Sequence, residues 1–307
     1  MSNIILSICI PTYNNIESLR KCLEFVFLAR REFDETVEVI VSDNCSEDGT
    51  FAYLQKIEEK NYRCYRNESN LGFNKNLLLL VEKYATGEYV WTIGDDDFIS
   101  NESIVFFLKN YIDKDLVLLK HKLVEENDVN YEVMKKRSKK VITGNYYEAI
   151  DYIAQPSNLF ATFMSCAIFK KEPFVSVDKS QYMTNDWKHF NNVFFNGYIL
   201  ENAFNDSKKI VSSTDSYIFI VPHEKSWDDK CSSINKEILP SHYRELGCEA
   251  KKHLKNTSYY IFSSNLYYFV KEKNSRTINV LKNLLSIHLA FNLVRMLKEV
   301  ITKKYAK

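Results

Sequence analysis

Three aspartates in succession, Asp95, Asp96 and Asp97, interrupt the stretch "YVWTIGDDDFIS" that runs from Tyr89 to Ser100. Neighbouring carboxylates repel, and a pair of unit charges ~4 Å apart costs about 4 kcal/mol at an effective dielectric of 20. At the end of an aromatic, β-branched run that reads as a buried strand, such a cluster needs a compensating charge. Hard divalent cations take oxygen ligands, and the smaller ones combine one or two carboxylates with phosphate oxygens and water. The acids therefore point to a divalent cation, Mn or Mg, shared with the diphosphate of a ligand. The alternative is a solvated, Asp-rich turn. In an extended chain alternate side chains face the same way, which would set Asp95 with Asp97 and turn Asp96 away. A fourth acid, Asp43, ends the run "VEVIVSD". It could accept an N–H from a flat heterocycle while Pro11–Tyr13 line the opposite side, or it could cap the turn that follows.

The elements that must position these residues alternate. "ILSICI" predicts a strand stopped by Pro11, and Leu19, Leu23, Val26 and Phe27 then recur at helical spacing behind Asn15, a candidate cap. "VEVIVS" predicts the second strand and "NCSEDG" a turn. Phe51, Leu54 and Ile57 mark a second helix, "YRCYRN" a short strand, "NLLLLVEKY" a third helix, and "YVWTI" the strand that carries the acids. Strands separated by helices imply right-handed crossovers and parallel pairing, and ligands bind such sheets at the carboxyl ends of the strands. Pro11–Tyr13, Asp43–Asn44 and Gly94–Asp97 all lie at such ends, so three polar clusters are expected to converge on one crevice. Further on, a helix is expected near Ile104–Ile112, a strand in "DLVLLKHKLV", an exposed charged loop or hairpin over Glu125–Lys140, and a capped helix in "TGNYYEAIDYI". Strands are expected in "ATFMSCAIFK", "YILENAF" and "SYIFIVP", and a glycine-stopped helix in "NDWKHFNNVFFNG". From about Ile234 the pattern is helical to the end.

Composition narrows the function. With 307 residues, 45% of them apolar, the chain can bury a large core. A formal net charge of +1 argues against a general nucleic-acid binder, which carries a basic excess. The seven cysteines are scattered and form no C-x-x-C pair, which suggests neither a disulfide framework nor a thiolate zinc site and fits a reducing compartment. The N-terminus lacks the basic segment of a signal peptide, and no stretch reaches the ~18 apolar residues of a membrane span. A cytoplasmic location is expected. A dinucleotide-binding oxidoreductase would need a glycine-rich turn after the first strand, and "CIPTYNN" has no glycine.

The ordered segments "LSICIPTYNN", "VEVIVSDNCSEDGT", "NLGFNKNLL" and "GEYVWTIGDDDF" resemble family 2 glycosyltransferases of the GT-A fold. Within it they resemble the abequosyltransferase-like sugar transferases that build bacterial surface polysaccharide. The resemblance is close over the first hundred residues, looser to about Ser233, and silent beyond. It implies a GT-A catalytic domain over 1–233, a Rossmann-like mixed sheet flanked by helices, with a nucleotide-binding half (1–100) and an acceptor half (101–233). A helical region, 234–307, would follow. It further implies a metal-dependent, inverting transfer of a sugar from a nucleotide-diphosphate sugar to a growing bacterial surface glycan: O-antigen, capsule or lipooligosaccharide. The alternative from another class is a catalytically silent homologue acting as a binding or scaffold subunit of a polysaccharide assembly complex.

By the same resemblance, Pro11, Thr12 and Tyr13 would line the nucleotide pocket, Asp43 would read the base, and Asn70, Gly72 and Lys75 would lie near base and ribose. Lys75 stands where many relatives have Arg, which replaces a bidentate contact by a point charge. "GDDD" replaces the commoner "DADD". Aligned on the strand, Gly94 takes the first acidic position and Asp96 the metal-binding one; read literally as D-x-D, the pair is Asp95 and Asp97. Asp95 is assigned to the nucleotide, and Asp96 and Asp97 to the metal, with Asp96 favoured as direct ligand if the chain turns sharply after Gly94. "TNDWKHFNNVFFNG" resembles the segment that carries the general base, with Asp186 in that position, Asn185 where relatives often have Glu, and His189 as the rival base. A carboxylate in a helix's first turn is held ionised by the amide dipoles. "IVPHEKSW" resembles a late loop in which His223 would approach the metal or diphosphate, with Lys225 and Trp227 nearby. The run "TINVLKNLLSIHLAFNLVRMLKEVITKKYAK" is apolar on one face and basic elsewhere. Such a helix could lie on the anionic inner membrane, where a polyprenyl-linked acceptor would be found, or pack on the catalytic domain or a dimer partner.

Overall fold

The computed structural model describes residues 4–124, 141–153, 163–179 and 195–220, with scattered residues between 242 and 257. Among the described residues, nine strands form one mixed sheet: β1 (Leu6–Thr12), β2 (Val37–Asp43), β3 (Tyr62–Arg66), β4 (Tyr89–Thr92), β5 (Asp97–Ile99), β6 (Leu116–Leu123), β7 (Val141–Gly144), β8 (Ala167–Lys170) and β9 (Ile210–Ile220). Their order is β3-β2-β1-β4-β8-β6-β9-β5, with β7 also on β9. The first four strands pair in parallel. The sheet then changes sense, because β8 is antiparallel to both β4 and β6.

The expected elements of the first half are present: α1 (Ile16–Arg30), α2 (Thr50–Leu54), α3 (Phe73–Leu78, continued by a π-helical turn to Tyr84) and α4 (Ser103–Asn110). Strands β1, β2 and β4 are buried along their whole length, as expected of strands covered on both faces. Leu19, Cys22, Leu23 and Val26 form the buried face of α1, and Phe25 from the same helix meets Phe98 of β5 edge-on at 5.2 Å. The capping expected of α5 (Tyr146–Ile153) takes the form of a reciprocal box: Asn145 Oδ1 accepts the Glu148 N–H at 3.0 Å and Glu148 Oε2 accepts the Asn145 N–H at 3.2 Å.

Three expectations need correction, and one strand was not expected. Pro11 does not stop β1, which continues to Thr12 in register with Asp43. The Cys9 carbonyl accepts the Ile93 N–H at 2.9 Å, so Pro11, two residues on, faces the same flank just beyond the end of β4. No ladder there requires the N–H that proline lacks. "YILENAF" is not a strand. It belongs to a helix, Phe195–Phe204, whose buried Phe195, Ile199, Leu200 and Phe204 recur at helical spacing. Gly197 therefore lies inside that helix and is not its stop, and its carbonyl accepts from the Tyr146 hydroxyl at 3.5 Å. Finally, β5 begins within the acid cluster itself and pairs with β9, a partner more than a hundred residues away. The charged segment 125–140 and the C-terminal basic helix lie outside the described residues. Among the described residues, no helix is long and apolar enough to cross a membrane.

Candidate active site

Because β2, β1 and β4 are adjacent and parallel, their carboxyl ends lie side by side, and hydrogen bonds join the three polar clusters. The Thr12 hydroxyl, at the end of β1, donates to Asp95 Oδ2 at 2.6 Å, and Asn15 Nδ2 donates to Asp95 Oδ1 at 3.0 Å. Asn15 occupies the cap position of α1 but makes no side-chain cap bond; Asp48 Oδ2 accepts the Ile16 N–H at 3.0 Å in its stead. Asn14, at φ 49°, donates its N–H to Ser46 Oγ at 2.8 Å and accepts the Glu47 N–H at 2.8 Å. The turns after β1 and β2 are thereby stitched together.

The acids do not follow an extended chain. The Asp97 N–H returns to the Gly94 carbonyl at 3.1 Å, so Asp95 and Asp96 sit at the tip of a turn and the expected alternation of faces does not apply. Asp95 and Asp96 are half-buried, whereas Asp97 is 2% exposed. The Ser165 hydroxyl, on a short 3₁₀ turn (Met164–Cys166) ahead of β8, donates to Asp97 Oδ2 and accepts the Gly94 N–H at 2.9 Å. Burial, then the Asp96 charge, pushes the Asp97 carboxyl up to about 8. Asp96 makes no hydrogen bond or ion pair with the described residues. Gly94 explains the departure from "DADD": a Cβ there would lie 2.5 Å from Asp97 Oδ2 and 3.2 Å from Asp96 Oδ1. A side chain in the first acidic position would require those carboxylates to shift.

Among the described residues, no three His, Cys, Asp or Glu side chains are grouped to hold a metal ion. The donor set among the described residues, one half-buried carboxylate with no partner among them, fits a small hard cation that takes most of its oxygens from phosphate and water. Asp96 would hold that cation.

On the other side of the crevice, Asp43 is fully buried. Its Oδ1 accepts the Ser46 N–H at 3.0 Å, so the turn-capping role is real. Its Oδ2 is buried without a hydrogen bond, 3.6 Å from Arg66 Nε, and Arg66 itself is held by the Ser46 carbonyl at 2.9 Å. A ladder of amides fixes the loop that follows β3. Asn44 Oδ1 accepts from Asn67 Nδ2 at 3.0 Å and from the Leu71 N–H at 2.9 Å. Asn70 Oδ1 accepts from Asn44 Nδ2 at 2.8 Å and from the Gly72 N–H at 2.9 Å. Asn70 thus shapes the loop that carries exposed Leu71 and leads into α3, on which Phe73 and Lys75 are exposed. Gly72 sits at φ 80°, ψ 163°, a conformation essentially reserved for glycine.

Sequence reasoning missed Ser165, Asn67, Asn76 and Arg66. The abundance of asparagine was the only signal for the ladder, and nothing local marked Ser165. Asp186, His189, His223, Lys225 and Trp227 lie outside the described residues.

Residues 7–177, more than half of the chain, match the family described as glycosyl transferase family 2. The chain belongs to that family. This family 2 chain is 28% identical over 215 residues to abequosyltransferase RfbV of Salmonella typhimurium, covering 66% of this chain and 61% of the relative. It is 29% identical over 161 residues to the poly(ribitol-phosphate) beta-N-acetylglucosaminyltransferase TarS of Staphylococcus aureus, covering 51% of this chain and 27% of that protein. It therefore spans less than two thirds of the length of either relative. Among solved structures, it is similar to S. aureus TarS 1-349 in complex with UDP-GlcNAc, with a TM-score of 0.59 at 19% identity over 93% of this chain and 81% of that one. It is also similar to the mannosyltransferase PcManGT from Pyrobaculum calidifontis in complex with GDP-Man and Mn2+, with a TM-score of 0.56 at 13% identity over 94% and 83%. At such identities the likeness establishes the fold, which is GT-A.

Proposed function

We propose that this family 2 chain is a metal-dependent, inverting glycosyltransferase that moves a sugar from a nucleotide-diphosphate sugar to a bacterial surface glycan. The observation that carries the reading is the joining of the β1 and β4 ends through Thr12 and Asp95, with the carboxylate of Asp96, unbonded among the described residues, beside them. Family membership and the nucleotide sugars named in the TarS and PcManGT structures support it. The names of the RfbV and TarS relatives support a bacterial surface glycan as acceptor.

The roles follow from the chemistry of each group. Pro11, Thr12 and Tyr13 form one wall of the nucleotide crevice, and Tyr13, 45% exposed, offers a ring face for a base. Asp43 has a single uncommitted oxygen for a base N–H, and a base can reach it only if the Arg66 side chain at the rim gives way. Lys75 supplies an exposed positive charge at the same mouth. A bound Mn²⁺ or Mg²⁺ would supply charge neutralisation to the departing diphosphate. Asp96 would hold it, with His223 as a further ligand, while Asp97, held by the Ser165 hydroxyl, fixes the turn that carries Asp96. Asp186 takes the proton of the acceptor hydroxyl as general base, a function that supplies about 10²–10⁴ in rate. The catalytic unit is taken to span 1–233. The basic helix in 234–307 would bring it to the cytoplasmic face of the inner membrane and a polyprenyl-diphosphate-linked acceptor.

The deciding experiment is a thermal-shift panel of UDP, GDP, CDP and dTDP with and without Mn²⁺ or Mg²⁺. Cation-dependent stabilisation by one diphosphate is expected, and its absence for all four overturns the reading. Asp186→Asn should keep that stabilisation and lose transfer; retained transfer would reassign the base. Binding without any transfer in the unaltered chain would favour a scaffold role.

A further inference from the structure

We propose that Ser165 and Asp97 form a positioning pair that sets the acidic turn from the β8 side, leaving Asp96 as the carboxylate presented to the cation. The inference rests on the metal-dependent reading above. Its observations are independent of that reading.

The turn after β4 is gripped from two directions. From the β1 side, Thr12 and Asn15 each hold one oxygen of Asp95. From the β8 side, the fully buried Ser165 hydroxyl bridges the first and last residues of the turn. A hydroxyl has one proton to donate and lone pairs to accept with. Here the proton goes to Asp97 Oδ2 and a lone pair receives the Gly94 N–H. The turn's own Asp97-to-Gly94 backbone bond closes the same loop.

Ser165 is itself fixed. Its carbonyl accepts the Trp91 indole N–H at 2.8 Å, and the neighbouring Met164 carbonyl accepts the Thr92 hydroxyl at 3.0 Å. The strand that follows pairs with β4 in the register Trp91 to Ile168. The 3₁₀ turn is therefore bound to the β4 strand that bears the acids, and the position of Ser165 is dictated by the sheet. Asp97 is 2% exposed and occupies the first ladder position of β5 opposite Ile220, so its side chain is built into the fold. Of the three acids, two are committed to neighbours. Only Asp96 has no hydrogen bond or ion pair to the described residues. Groups that orient metal ligands in this way are worth 10–100-fold in metal affinity.

The test uses the full chain and three variants, Ser165→Ala, Asp97→Asn and Asp96→Asn, with two readouts. Hydrogen–deuterium exchange over residues 92–98, without ligand, reports the grip on the turn. Calorimetric titration of UDP with and without Mn²⁺ reports presentation of the carboxylate; if the nucleotide panel selects another diphosphate, that one replaces UDP. Ser165→Ala should raise exchange at the turn and weaken Mn²⁺-dependent nucleotide binding by about tenfold or more. Asp97→Asn keeps an acceptor for the Ser165 hydroxyl and should leave both readouts near those of the unaltered chain. Asp96→Asn should keep exchange protection and lose the Mn²⁺ dependence. If Ser165→Ala does not fold, Ser165→Cys, of similar volume but a weak donor, should show the same two changes in smaller measure. Loss of Mn²⁺ dependence in Asp97→Asn as complete as in Asp96→Asn would make Asp97 a ligand and overturn the proposal. So would exchange and affinity unchanged in Ser165→Ala, or in Ser165→Cys where it replaces Ala. If the unaltered chain binds none of the four diphosphates with Mn²⁺, the functional reading falls, while exchange still decides whether the grip exists.

Discussion

Gly94 carries a constraint of space. Its absent side chain leaves room for two carboxylate oxygens of the turn, the nearer only 2.5 Å from where a Cβ would lie. Its carbonyl receives the Asp97 N–H and the Cys22 thiol, the latter at 3.6 Å. Adding one methyl group must therefore move Asp97, Asp96 or both. Gly94→Ala is expected to cost about 1–3 kcal/mol, the usual penalty for overpacking a filled site. It should also weaken Mn²⁺-dependent UDP binding by about tenfold, because the displaced atoms belong to Asp96 and to Asp97, which sets its turn. Denaturant midpoints and titration calorimetry check the two halves separately. A variant of normal stability and normal affinity would mean that the turn adapts freely. The presence of an acid cluster was plain in the amino-acid types. Which acid is free was not, because it depends on Thr12, Asn15 and Ser165 arriving from three separate segments.

At the scale of elements, the asparagine ladder couples the loop after β3 to the end of β2. Its inner member is Asn76 on α3, which is 2% exposed. Asn76 Oδ1 accepts from the Ser42 hydroxyl at 2.6 Å and from Asn67 Nδ2 at 2.9 Å, and its Nδ2 donates to the Ser42 carbonyl at 3.0 Å. Replacement by alanine leaves these buried groups without partners, at about 1–3 kcal/mol for each group that water cannot reach. Asn76→Ala is therefore predicted to lose about 2–4 kcal/mol in urea unfolding. It should also raise hydrogen exchange over residues 67–72, the loop that the ladder ties to the end of β2. Unaltered exchange there would show that the ladder does not hold the loop. In the sequence this device is visible only as a surplus of Asn. Its geometry depends on amides from β2, the loop and α3 meeting edge to edge.

For the whole molecule, the sheet's change of sense after β4 matters most. The parallel part, β3-β2-β1-β4, carries the three polar clusters at its strand ends, and the antiparallel β8 brings Ser165 to the last of them. The far part of the sheet carries its own pH dependence. His121 on β6 is 3% exposed, beside Phe163 at 4.7 Å between ring centres. Burial, assisted by Lys120, lowers its pKa to about 4. Relative to an unfolded value of about 6.5, the unfolded chain binds more protons than the folded one between those two limits. Stability contributed by the neutral imidazole is thus complete above about pH 6.5 and lost as pH falls towards about 4. Urea midpoints should fall more steeply across that window in the unaltered protein than in His121→Gln. Parallel curves for the two would show that His121 does not set the acid limit.

The sequence by itself determined the alternating first half, the strands buried on both faces, and the three polar clusters at strand ends. Each of these is written in local periodicity and residue type, which act over a few neighbours. Tertiary structure alone decided that β5 starts inside the acid cluster and that Asp95, Asp96 and Asp97 differ. The reason is physical. Identical side chains in adjacent positions can be distinguished only by what surrounds them: Thr12 and Asn15 hold Asp95, Ser165 holds Asp97, and no described side chain binds Asp96. Those partners lie some 70 to 80 residues away along the chain and are brought together by the pairing of β4 with β1 and β8.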